Sequence, residues 1–179
     1  MRNCYISRNY KTTKSGGGRV RTDLEQIMTE MGFRNLGLKQ SRHSNMVYDF
    51  FYTFTSVMKA VLTLKRDDVL VIQYPMKKYY EFVCDVAHRR GAKVITVIHD
   101  LGCFRRKKLT VEREMERLAH SDALIVHNPT MYKWLDEHHY QGAMQVIGLF
   151  DYLSPELARV ISEGYLLVTE KARGAYRIG

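Results

Sequence analysis

Three short, nearly continuous apolar runs constrain the fold of this chain more than any other feature. They occupy residues 69–72, 94–98 and 123–126. A strand that is apolar on both faces is typical of a parallel sheet covered by helices. Between these runs, apolar residues recur at helical spacing, so strands and helices alternate along the chain. This alternation predicts an α/β domain: a Rossmann-like three-layer α/β/α sandwich with a mostly parallel sheet.

Further elements are predicted on both sides of the three runs. A strand over residues 3–7 is followed by a glycine-rich loop over residues 8–18, and a basic loop covers residues 102–109. Gly32 and Gly91 are expected to end helices, and Thr110 and Asn128 to begin them. Helices are predicted over residues 20–31, 49–64 and 78–90 and after residues 110 and 128, and weaker strands over residues 33–38 and 144–147.

Composition indicates one ordinary globular domain. The 179 residues are 45% hydrophobic and 26% charged, which disfavours a disordered or disulfide-scaffold chain. No run approaches the roughly 18 to 20 apolar residues of a spanning helix, and no signal-peptide apolar block is visible.

Cys4, Cys84 and Cys103 are too scattered for a zinc or redox motif, so reduced thiols and a cytoplasmic location are expected. We expect the domain to cover residues 1–152, with a helical linker or returning helix over 153–179.

Positive charge is in excess. The chain has 28 Lys and Arg against 19 Asp and Glu, a net charge of +9. Nucleic acid, anionic lipid and phosphorylated substrates all fit this balance. The run Arg105, Arg106, Lys107 and Lys108 would attract an anion or a membrane surface, although a solvated face is the simpler interpretation. Because no nucleic-acid-binding signature accompanies it, no nucleic-acid partner is expected.

Ligands of parallel α/β sheets bind beyond the C-terminal ends of the strands. Four segments follow predicted strands, residues 8–18, 73–77, 99–108 and 127–130, and we expect them to converge in one crevice. The glycine-rich segment suits an anion, yet it matches neither the phosphate-loop nor the dinucleotide pattern, and a flexible basic loop is the alternative. The candidate substrate-binding residues are Arg8, Asn9, Ser15, Gly16, Gly17, Gly18, Tyr74, His127 and Asn128.

His99 and Asp100 directly follow the strand with the clearest pattern and are the catalytic candidates. His99 would donate a hydrogen bond to a hydroxyl group or to developing negative charge, and Asp100 would accept a proton or orient an acceptor. The alternative is a capping aspartate beside an incidental histidine. No further histidines at metal-ligand spacing are present, so no metal is expected.

Several short motifs, taken in order, resemble the N-terminal half of GT-B glycosyltransferases. They are Tyr-Ile-Ser-Arg-Asn-Tyr at residues 5–10, the Ser15-Gly16 loop with Thr-Asp-Leu-Glu at 22–25, Met-Gly-Phe at 31–33, Ile-His-Asp-Leu at 98–101 and Ser-Asp-Ala-Leu-Ile-Val-His-Asn at 121–128. The resemblance covers residues 3–152. It is nearest to bacterial galactofuranosyltransferase-like and glucosyltransferase enzymes of cell-surface glycan assembly.

The resemblance implies an acceptor-binding half that serves hexosyl or galactofuranosyl transfer. The donor would be a nucleotide sugar, a UDP-sugar, the acceptor a glycan or a lipid-linked glycan, and no cofactor would be needed. Residues 15–18, His99 and Asp100 would line a cleft facing a second, donor-binding domain. Since a complete enzyme needs about twice this length, we expect the chain alone to be inactive. Peripheral contact with the inner membrane face and a homo-oligomer fit this reading.

A non-enzymatic function is the alternative from another class. The same sheet would serve a Rossmann-like module that binds phosphorylated ligands or anionic surfaces.

Overall fold

A computed structural model describes residues 1–7, 16–37, 46–76, 79–105 and 109–147. Within these ranges six strands form one sheet in the order β2-β1-β3-β4-β5-β6, and every neighbouring pair is parallel. The predicted α/β class and parallel sheet are confirmed. The elements are β1 (Asn3–Tyr5), α1 (Gly16–Glu30), β2 (Arg34–Asn35), α2 (Met46–Leu62), β3 (Val69–Tyr74), α3 (Tyr80–Arg89), β4 (Lys93–Ile98), α4 (Gly102–Arg105), α5 (Val111–Leu118), β5 (Ala123–Val126), α6 (Pro129–Glu137) and β6 (Ala143–Val146).

Both faces of the sheet are covered, which gives the three layers. Successive side chains of a strand point to opposite faces. One face packs against α1 through Leu24, Ile27 and Met28. The other packs against α2, α3, α5 and α6 and forms the larger core cluster. The residues of the central strands are therefore apolar on both sides, as the sequence runs predict.

The predicted helix ends are confirmed where a cap decides them. Thr110 and Asn128 are the N-caps of α5 and α6, and each side chain accepts a hydrogen bond from a backbone N–H three residues on. Gly32 and Gly91 follow α1 and α3 with φ of +80° and +74°, the left-handed conformation that glycine adopts without strain.

Two local predictions are wrong. The sequence predicts a loop through residue 18, whereas α1 begins at Gly16. The N–H groups of a first helical turn have no partner within the helix, so glycine is tolerated there better than in a helix interior. The sequence also predicts a loop over residues 102–109, whereas Gly102–Arg105 forms α4. The buried carboxylate of Glu114 accepts a hydrogen bond from Cys103 N and stabilises this short turn.

Residues 148–179 lie outside the described part of the chain. The proposed division after residue 152 and the helical segment over residues 153–179 therefore stay predictions. Of the helices in the described ranges, none has the length and apolar character needed to cross a bilayer.

Candidate active site

Four polar residues form a row at the C-terminal edge of the sheet. We call Ser7, Gln73, His99 and His127 the edge row; Gln73 belongs to β3, His99 and His127 directly follow β4 and β5, and Ser7 lies two residues after β1. Each lies two positions after an apolar residue that packs on the α1 side. Because side chains alternate along a strand, all four continue the α1-facing surface to its edge. The apolar residues concerned are Tyr5, Val71, Val97 and Ile125.

Gln73 connects the edge row to α1. Its side-chain Nε2 donates to Arg21 O at 3.3 Å and to Glu25 Oε1 at 3.2 Å. Its Oε1 lies 2.8 Å from His99 Nε2. An amide oxygen only accepts hydrogen bonds, so His99 donates from Nε2 and its Nδ1 is an acceptor.

Glu25 extends this connection to the first strand. Ser7 Oγ donates to Glu25 Oε2 at 2.7 Å, while Gln73 bonds the other carboxylate oxygen. The hydrogen bonds thus run from Ser7 through Glu25 and Gln73 to His99. His127 joins the far end of the row, since its ring centroid lies 5.3 Å from that of His99. Three strands and one helix therefore fix the position of the His99 imidazole.

Both histidines of the row are neutral at neutral pH. Burial, followed by the nearby positive charge of Arg21 and by His127, lowers the pKa of His99 to about 3. Burial lowers the pKa of His127 to about 4. Desolvation disfavours the charged imidazolium form, which explains the direction of both shifts. His99 therefore acts as a hydrogen-bonding group and not as a fixed cation.

The other candidate residues fall into different surroundings. Asp100 follows His99 beyond the end of β4 and is half-buried. Asn128 follows His127, and its Oδ1 accepts a hydrogen bond from Met131 N at 2.7 Å. Tyr74 lies in the core on the opposite face, where its hydroxyl donates to Glu114 and its ring packs edge-on against Tyr80.

The loop candidates are described only in part. Gly16, Gly17 and Gly18 form the first turn of α1, and Arg105 is the last residue of α4. The remaining ones lie outside the described residues: Arg8, Asn9, Ser15, Arg106, Lys107 and Lys108. Across the described part of the chain, no group of three or more His, Cys, Asp or Glu side chains is placed to hold a metal ion.

Sequence reasoning missed Ser7 and Glu25 as members of the site, and it included Gln73 only as the first residue of the segment 73–77 and not as a candidate. One signal was available: Gln73 is a polar residue inside the apolar strand Val69–Tyr74, and it is only 3% exposed. A buried amide needs hydrogen-bond partners, so its position indicated a polar network.

Comparison with known proteins places this chain in a family. Residues 3–149 match the N-terminal domain of the glucosyltransferase 3-like family. The chain belongs to this family. The match contains all six strands and the whole edge row, so the predicted resemblance to a glycosyltransferase N-terminal domain is confirmed.

One curated relative carries a more specific name. The chain is 31% identical over 117 residues to the β-1,6-galactofuranosyltransferase WbbI of Escherichia coli strain K12. The aligned part is 65% of this chain and 33% of the relative. The chain thus spans about a third of the relative's length.

Asn128 is a candidate substrate-binding residue that also serves as the N-cap of α6, and its contribution as a cap can be measured. Replacing Asn128 by Ala removes the acceptor for Met131 N and should lower the free energy of unfolding by about 1 kcal/mol. Asn128→Asp keeps an acceptor oxygen, so its free energy of unfolding should stay close to that of the parent chain. Urea denaturation of the chain at pH 7.5 measures both. An Ala variant as stable as the parent would show that the cap contributes nothing.

Proposed function

We propose that this chain is the acceptor-binding half of a GT-B glycosyltransferase that moves a hexosyl or galactofuranosyl group from a UDP-sugar to a glycan or lipid-linked glycan in the cytoplasm. The observation that carries the proposal is the edge row. His99 in this row is neutral, is oriented by its hydrogen bond to Gln73, and lies at the C-terminal edge of the sheet. The sheet lies within the residues that match the family. Ligands of parallel α/β sheets bind at this edge.

Sugar transfer requires a group that orients the acceptor and its attacking hydroxyl. In transfer, the bond between the sugar's anomeric carbon and the diphosphate breaks, and a bond from the acceptor oxygen to that carbon forms. The acceptor hydroxyl must lose its proton in the process. In this proposal His99 Nδ1 accepts a hydrogen bond from a neighbouring hydroxyl of the acceptor sugar and so positions the acceptor, and Asp100, the next residue, accepts the proton of the attacking hydroxyl. The low pKa of His99 suits this division of roles between His99 and Asp100, because a weakly basic imidazole accepts a hydrogen bond from a hydroxyl without taking its proton.

Assignment to the acceptor side rests on two findings. The family match is to an N-terminal domain, and the chain spans about a third of WbbI. Both support a second, donor-binding part in the complete enzyme. The relative's name supports galactofuranose as one candidate sugar, and the family's name supports glucose.

Ligand titration followed by amide NMR signals tests the acceptor role. p-Nitrophenyl glycosides of the common hexoses should shift the amide signals of Gln73, His99 and His127. They should leave His88 and Asp122, which pair at the opposite edge, unchanged. UDP-glucose should shift none of these signals, because its site would belong to the donor half.

Two results would contradict the proposal. Shifts of the edge row with UDP-glucose but with no glycoside would make this the donor half. Shifts with inorganic phosphate alone would favour the non-enzymatic module that binds phosphorylated ligands.

A further inference from the structure

The first half of α2 exposes an unusual amount of apolar side chain. Val47 is 64% exposed, Tyr48 53%, Phe50 46% and Phe51 60%, and Tyr52 is also exposed. We call these five residues the α2 aromatic surface. Contiguous exposed apolar patches on a protein usually mark an interaction site.

The surface is held in place by rings beneath it. Phe50 stacks on Phe54 with ring centroids 6.1 Å apart, and Phe54 contacts Phe82 of α3 at 5.6 Å. Phe51 packs edge-to-face with Phe50, with ring centroids 5.6 Å apart, and most of its side chain is exposed. Tyr48 and Tyr52 stack on each other one helical turn apart. The rings are therefore presented by a packed helix.

The surface lies at the same edge of the sheet as the edge row. The chain leaves α2 and enters β3 at that strand's N-terminal end, so the start of α2 lies toward the C-terminal edge. Contacts of Phe50 and Phe54 with Tyr79, just before α3 and after the end of β3, place the surface there directly. Leu62, which is 49% exposed, ends the same helix at the opposite edge.

The sequence near this edge is strongly basic. The connections between β2 and α2, between β3 and α3, and between β4 and α5 have a single acidic residue, Asp100. Their basic residues are Lys39, Arg42, Lys77, Lys78, Arg105, Arg106, Lys107 and Lys108. The connection between α2 and β3, at the opposite edge, is balanced, with Lys65 and Arg66 against Asp67 and Asp68. In sequence, positive charge is thus concentrated in the connections that begin where β2, β3 and β4 end, parts of which lie outside the described residues.

We propose that the α2 aromatic surface docks on an anionic phospholipid bilayer. Phenylalanine and tyrosine rings insert at the membrane–water interface, and nearby Lys and Arg attract anionic headgroups. A second copy of this chain is the less favourable occupant, because both copies carry the same net charge of +9. Docking would hold the edge row beside the membrane, where a lipid-linked acceptor lies. The proposal goes beyond sugar transfer and does not depend on it.

Vesicle co-sedimentation tests the docking. The chain should bind phosphatidylcholine vesicles containing about a third phosphatidylglycerol, bind pure phosphatidylcholine far less, and lose about tenfold in affinity between about 0.1 and 0.5 M NaCl. The double variant Val47→Ser/Phe51→Ser should lower the affinity about tenfold or more, since it removes the two most exposed side chains of the surface. Leu62→Ser is the matched control on the same helix and should bind like the parent.

Circular dichroism and thermal melting would verify that each variant is folded. Absence of binding to the anionic vesicles would overturn the proposal, and so would equal losses in the double variant and in Leu62→Ser. A dimer in sedimentation that the double variant abolishes, with vesicle binding unchanged, would assign the surface to a second copy instead. No donor or acceptor sugar is present in the experiment, so a failure of the proposed transfer activity would leave its outcome unaffected.

Discussion

Replacing His99 by Ala is expected to lower sugar-transfer turnover by about 100- to 1,000-fold, the effect of losing one well-placed electrostatic or acid–base group. The assay uses the longer enzyme that the proposal requires, with its donor-binding domain. The imidazole is held by Gln73 at the sheet edge where the acceptor site is proposed, so its loss should reduce turnover more than glycoside affinity. Asp100→Asn should also impair transfer, since the amide cannot accept the proton.

A histidine far from the edge row provides the control. His120 lies between α5 and β5, at the N-terminal edge, and its Nδ1 is 2.7 Å from Asp85 Oδ1. His120→Ala should leave turnover unchanged. Near-normal transfer in both His99→Ala and Asp100→Asn would remove these residues from the mechanism. A loss of transfer that merely follows a fall in melting temperature would do the same, and the family resemblance would then describe the fold alone.

The fold was predictable because its strands are buried on both faces. Residues 69–72, 94–98 and 123–126 carry that signature in sequence, and the structure places them in β3, β4 and β5. Helix ends were predictable where one side chain or one backbone conformation determines them, as at Thr110 and Gly91. The start of α1 and the short α4 were missed. α4 depends on Glu114, a residue from a different helix, and local sequence carries no trace of that contact.

The site was predictable only at the level of position. Strand ends directed attention to His99 and His127, and the structure brings these two together. The same reasoning selected Tyr74, while the structure brings its neighbour Gln73 into the edge row and packs Tyr74 into the core. Side chains alternate between the two faces of a sheet, so counting from Val71 would have placed Gln73 on the α1-facing side and Tyr74 on the opposite side. The role of Glu25 could not be read, because it depends on how α1 packs across β1 and β3.

The depressed pKa values of the two edge-row histidines lead to an expected loss of stability in mild acid. An unfolded histidine titrates near 6.5, whereas His99 and His127 in the folded chain titrate at about 3 and about 4. Between the folded and unfolded values the unfolded state binds more protons, so stability is complete above about pH 7 and falls as the pH drops below 6.5. His99, the more strongly desolvated of the two, should contribute about 2 kcal/mol of loss by pH 5, and His127 about 1 kcal/mol.

Urea denaturation at pH 7.5 and pH 5.0 measures this difference, which should be about 3 kcal/mol for the parent chain. His99→Gln removes the titrating ring and keeps a side chain able to donate to Gln73, so its difference should shrink to about 1 kcal/mol. The carboxylates with lowered pKa values, Asp68, Glu81 and Asp122, lose their stabilising effect only at lower pH and add little in this window. An identical pH dependence in the parent and in His99→Gln would mean that His99 accepts a proton in the folded state without penalty. The lowered pKa of His99, on which the proposed mechanism depends, would then be absent.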